Sequence, residues 1–145
     1  MLEQVAGMFD NMEDMLKKLK KKSYEERMSV FREKNGHYFT EMTEYVGSAA
    51  NKEEAVKEIA DTFTAAVKER FQVNGKIKGR VQADMNFFMI YFVFPAILLT
   101  EHENAKALAD GICSKWGEFF KDSKIGYTTY EDLYGAFREK IFGIF

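Results

Sequence analysis

The sequence of 145 residues predicts an all-α fold: a single-domain bundle of about six helices around a central, fully apolar helix at about 77–99. Three observations lead there. Apolar residues recur at spacings of three and four along nearly the whole chain, and no stretch alternates long enough to make a strand. Residues 87–99 read FFMIYFVFPAILL, thirteen positions without a charged or amide side chain in a sequence that is 30% charged. One proline, ten glycines, no fixed-period repeat and no low-complexity tract leave no linker and no domain boundary.

The first predicted helix covers about 2–20. Leu2, Val5, Phe9, Met12, Leu16 and Leu19 form a heptad seam, with acids early and Lys17, Lys18, Lys20, Lys21 and Lys22 late, as the helix dipole prefers. Ser23 is placed to cap a second helix whose stripe is Met28, Phe31, Tyr38, Phe39, Met42, Tyr45 and Val46. Asn51 and Glu54 have the spacing of a capping box and open a third helix, with Val56, Ile59, Phe63, Val67 and Phe71 on one face. That helix is expected to end near Asn74 and Gly75, which tolerate the left-handed conformation.

The fourth helix begins amphipathic and becomes apolar on every side, so other helices should surround it. Its thirteen-residue apolar run is shorter than the 17–25 residues that cross a bilayer, which argues for a core helix. Pro95 lacks an amide hydrogen and crowds the carbonyl of Tyr91, so a kink or break is expected there. Thr100 with Glu103, and Thr128 with Glu131, repeat the capping-box spacing and start a fifth and a sixth helix. The fifth carries Leu108, Ile112, Trp116, Phe119 and Phe120, and the sixth Leu133, Tyr134, Phe137 and Ile141.

Composition narrows the function classes. A net charge of −2 gives no general attraction for nucleic acid, so no such partner is expected. A single cysteine, Cys113, excludes an intrachain disulfide framework, and with the acidic N-terminus it points to a cytoplasmic protein. Phosphate-loop, dinucleotide, zinc-spacing, nucleophile-elbow and kinase patterns are all missing from the sequence, and no cofactor is expected.

A kink at Pro95 suggests a pocket lined by Tyr91, Phe92, Pro95 and Trp116, since ligand sites are mostly apolar with a few polar groups. Glu33, His37 and Glu41 share a helix face at metal-ligand spacing, but such spacing more often marks a solvated face, and no metal is assigned to them. His102 lies between Glu101 and Glu103 and reads as a surface histidine. Cys113 falls on an inner stripe, where a thiol behaves as a small apolar residue rather than a nucleophile. Two basic clusters, at residues 17–22 and at Lys76, Lys78 and Arg80, are candidates for an anionic surface or a phosphate. Ile141, Phe142, Ile144 and Phe145 make an apolar tail that needs a groove of its own or of a partner.

The function that follows is a non-enzymatic, cytosolic helical interaction or regulatory module. It would bind a protein partner or itself, as a homodimer, through Leu2, Val5, Phe9, Met12, Leu16, Ile144 and Phe145. The alternative is a small-molecule-binding protein or minor enzyme with an apolar pocket near Pro95.

Overall fold

In the computed structural model, which describes residues 2–100 and 103–119, the chain is an all-α bundle. A 3₁₀ helix at Leu2–Phe9 leads into α1 (Met12–Leu19), α2 (Tyr24–Ser48), α3 (Lys52–Phe71), α4 (Gly79–Phe88), a π-helical turn at Met89–Val93, α5 (Phe94–Leu98) and α6 (Ala105–Phe119). The predicted sixth helix and the apolar tail lie outside the described residues.

Helix starts follow the predicted caps where the chemistry is local. Ser23 Oγ accepts from the Glu26 amide at 3.2 Å, and Asn51 Oδ1 accepts from the Glu54 amide at 3.1 Å. The first predicted helix is instead two pieces. The chain tightens to 3₁₀ geometry up to Phe9, the Asp10 amide donates to Gly7 O at 3.1 Å, and α1 starts anew at Met12. Short 3₁₀ runs eclipse side chains three apart, which turns Val5 and Met8 inward together, and Phe9 follows them.

Thr100 does not cap the fifth helix. Its hydroxyl donates back to Ile97 O at 2.7 Å, closing the end of α5, while α6 begins only at Ala105. Asn74 and Gly75 lie beyond the end of α3 rather than at it. With φ of 54° and 76° they form a two-residue reverse turn closed by Val73 N to Lys76 O at 2.7 Å and Lys76 N to Val73 O at 3.1 Å.

Residues Gly79–Leu98 form one continuous rod of 20 residues, long and apolar enough by length and composition to cross a membrane. In this bundle 72% of its most apolar 18-residue window is buried against the other helices. The charge-free run is therefore only the inner part of a longer helix. Around the rod, α3 packs along α6 and against the 3₁₀ segment, α2 covers α5, and α1 lies on α4. Close approach of α3 and α6 depends on Gly111, where an added Cβ would lie 2.4 Å from Val56 Cγ1.

The core is aromatic. Phe9 contacts Phe88 at 4.8 Å between ring centroids, Phe71 at 6.1 Å, and Phe63 and Trp116 each at 6.3 Å. Phe88 continues the cluster to Phe92 at 5.1 Å and Phe31 at 5.5 Å. The heptad seam thus faces its own bundle. Val5, Phe9, Met12 and Leu16 are all buried, so these four do not form the exposed interaction surface expected of them. The 3₁₀ segment seated on α3 and α1 lying on α4 remove them from water within one chain, and no partner is needed to cover them.

The irregular stretch before Pro95 has a specific partner. Proline gives no amide to Tyr91 O, and the π-turn accommodates the gap, with the Phe94 amide reaching Met89 O. Arg27 Nε donates to the Tyr91 carbonyl at 3.0 Å, and Arg27 Nη1 donates to Lys22 O at 3.4 Å. Arg27 is only 4% exposed, and its guanidinium lies 5.6 Å from the Tyr24 ring centroid and 5.3 Å from that of Tyr91. We expect Arg27→Met to cost about 1–3 kcal/mol, the range for a buried carbonyl left without its donor. Pro95→Ala restores an amide at the right position, so the same change is expected to cost less in that background. A double-mutant cycle by denaturant unfolding checks this, and strict additivity would show the carbonyl is not the reason.

Candidate functional site

The structure does not bring the four residues expected at a Pro95 pocket together. Phe92 is stacked on Phe88, Pro95 is buried, and the Tyr91 carbonyl is taken by Arg27. Trp116 belongs to a different part of the core, between Phe9 and Phe63, and its indole N–H donates to Asn86 Oδ1 at 2.8 Å. A groove of about 340 Å³ opens beyond Pro95 at Ala96 and Thr100, but its lining is mostly polar, with Ser29, Arg32, Glu33 and Thr40.

Glu33, His37 and Glu41 are exposed along α2, with the His37 ring on Tyr38 at 4.0 Å. Among the described residues no group of three or more His, Cys, Asp and Glu is placed to hold a metal ion. Cys113 is buried on α6, and burial, with the nearby Asp110 adding to it, pushes its thiol up to about 12. It is a thiol and not a nucleophile at neutral pH. His102 lies outside the described residues.

What the fold does bring together is part of the first basic cluster and Arg80 of the second. A groove of about 410 Å³ runs between α1 and α4. Lys17, Lys20 and Lys21 line it from the α1 side and Arg80 from the first turn of α4, so residues some 60 positions apart in the chain share one surface. Lys76 and Lys78, which precede α4, are not among its lining residues. Its apolar floor is Leu16 and Phe87, and its two carboxylates are Glu13 and Asp84.

The charges in the groove are unevenly matched. Lys17 is ion-paired with Glu13 at 3.0 Å, one turn apart on α1. That hydrogen bond and the Lys17 charge hold the Glu13 carboxyl below its ordinary value, and Arg80 across the groove adds to the effect. Both partners are largely exposed, so the pair itself stabilises little. Lys20, Lys21 and Arg80 make no ion pair among the described residues. The Lys20 ammonium rests 4.9 Å over the Phe87 ring and 5.7 Å from the Tyr91 ring centroid. Tyr91 is therefore shared by two cations, Lys20 and the buried Arg27.

Arg27 is the residue that reading the helix stripes leaves out. Its signal was present: Arg27, Phe31, Asn35 and Phe39 are spaced by four, and all four are buried, so an arginine on an inward stripe calls for a fixed partner. Nothing in the sequence pairs the α1 lysines with Arg80, because that adjacency comes from helix packing alone. Comparison with protein-family models, with curated proteins and with solved structures finds no match.

Proposed function

We propose that the chain is a non-enzymatic helical interaction module that meets an acidic partner surface in the groove between α1 and α4. One observation carries this reading. A chain of net charge −2 gathers four cations on one groove, and three of them have no ion-pair partner among the described residues. Such a surface steers a partner of opposite charge and fixes its register more than it adds raw affinity. The burial of Cys113 as a neutral thiol is in keeping with a reducing, cytosolic setting. Self-association through the N-terminal seam is not part of this reading, because Val5, Phe9, Met12 and Leu16 are core residues.

Binding of a fluorescent oligoglutamate to the full chain tests the proposal. Affinity is expected to fall steeply as salt shortens the screening length from about 30 Å at 0.01 M to about 8 Å at 0.15 M. The Lys20→Glu, Arg80→Glu double variant is expected to bind about tenfold or more weakly at an unchanged melting temperature. Lys34→Glu with Lys106→Glu, on other exposed surfaces, serves as the control and should bind like the parent. Equal losses in the two double variants, or no binding at low salt, would remove the proposal.

A further inference from the structure

We infer that the acidic surface met by the α1–α4 groove is an anionic lipid bilayer, with the Val73–Lys76 turn as an apolar wedge at one end of the contact. The inference rests on the reading of this groove as the contact face and names the partner. Two links join the turn to the groove. Arg70, three residues before Val73, is ion-paired with Asp10 just ahead of α1, and Arg80, four residues after Lys76, lines the groove with Glu13. Charge on this surface is one-sided. Asp10, Glu13 and Asp14 are each spent on a cation of their own, Arg70, Lys17 and Lys18. That leaves Lys20, Lys21, Lys22, Lys76, Lys78 and Arg80, all exposed and without an ion-pair partner among the described residues, against the groove carboxylate of Asp84. A cluster of about four to eight such cations is what a leaflet of anionic headgroups attracts. All but one are lysines, whose hydrated point charge on a flexible stem suits headgroups that move, whereas the arginine fork suits a fixed oxyanion.

The turn supplies what a purely ionic partner would not use. Val73 is 64% exposed, the most exposed large hydrophobic side chain among the described residues. Its backbone is held on both sides, with its amide donating to Lys76 O at 2.7 Å and its carbonyl accepting from the Lys76 amide at 3.1 Å. The side chain is therefore offered from a preformed turn, which spares the contact the entropy of ordering a loop. Lys76 and Lys78 follow within five residues, near enough to reach headgroups while Val73 enters the boundary between headgroups and acyl chains. An acidic protein surface would neutralise the lysines and leave Val73 without a role. One valine is a small wedge, so the attachment is reversible and depends on the charges.

Sedimentation of the full chain with vesicles of phosphatidylcholine containing about 30% phosphatidylserine tests the inference. Binding is expected at low salt, with release as salt is added and none to phosphatidylcholine alone. Lys76→Glu with Lys78→Glu is expected to weaken binding about 25-fold or more, at about fivefold for each cation taken from an anionic surface. Val73→Asp is expected to weaken it about tenfold or more, with melting temperatures unchanged in both variants. Lys34→Glu with Lys106→Glu carries the same net charge as the first variant and should bind like the parent. Val73→Trp reports insertion directly. Trp116 is buried in the core, so a blue shift on adding vesicles, and quenching by lipids brominated on the acyl chain, belong to position 73. Unshifted emission, or equal losses in the two lysine pairs, overturns the inference. Oligoglutamate binding in the groove without vesicle binding overturns it in favour of an acidic protein partner and leaves the wider reading standing. Failure of both overturns both.

Discussion

Phe9→Ala is expected to cost about 3–5 kcal/mol, the range for truncating a well-packed core aromatic. Phe9 is 1% exposed and touches Phe63, Phe71, Phe88 and Trp116, rings contributed by α3, α4 and α6. Removing it empties the point where the 3₁₀ segment joins the rest of the bundle, and short neighbouring side chains are not available to refill it. Denaturant unfolding measures the loss as a lower midpoint at constant slope. The same variant decides where the N-terminal seam belongs. A loss under about 1 kcal/mol together with a change in oligomeric mass would return Phe9 to a partner surface; a large loss at unchanged mass keeps it in the core.

Gly111→Ala is the second large effect, expected to destabilise by about 1–3 kcal/mol through overpacking. The added methyl would meet Val56 Cγ1 at 2.4 Å, and a β-branched side chain in a helix has one strongly preferred rotamer, so Val56 has little freedom to step aside. Either α3 and α6 separate along their shared face or Val56 leaves its rotamer. Val56→Ala removes the obstructing atom, and we expect it to recover most of the loss in the double variant. The coupling read from that cycle should fall within about 0.5–3 kcal/mol, and additive costs would show that α3 and α6 do not touch at this point.

The caps show how far local chemistry could be read. Ser23 and Asn51 each needed only an amide three residues away, and both bonds form. Thr100 has the same chemistry and took the other option, donating to a carbonyl behind it. A hydroxyl can close one helix or open the next, and only the path of the chain after α5 decides between them. The 3₁₀ opening was hidden for a related reason. Leu2, Val5, Phe9, Met12 and Leu16 fit a continuous seam, yet the chain breaks at Asp10, and Val5 and Phe9 before the break and Met12 and Leu16 after it are buried because each half turns separately toward the core.

Pro95 was visible as a defect in the central helix, and the structure shows how the defect is met: a π-turn before it and an arginine that reaches the Tyr91 carbonyl from 64 positions away in the chain. An aromatic cluster of Phe31, Phe88 and Phe92 fills the space, and the freed carbonyl is consumed by a donor instead of lining a pocket.

Taken by itself, the sequence determined the helical class, the amphipathic stripes, the helix that had to be buried and the position of its irregularity. These are properties of period, composition and covalent geometry, which act within a few residues. Tertiary structure alone decided that the heptad seam faces inward, that Arg27 serves Tyr91, and that Lys20 and Lys21 share a groove with Arg80. Each of these depends on which helix faces lie against each other. That choice is made by the burial of the whole aromatic core, a non-directional energy that no single segment encodes.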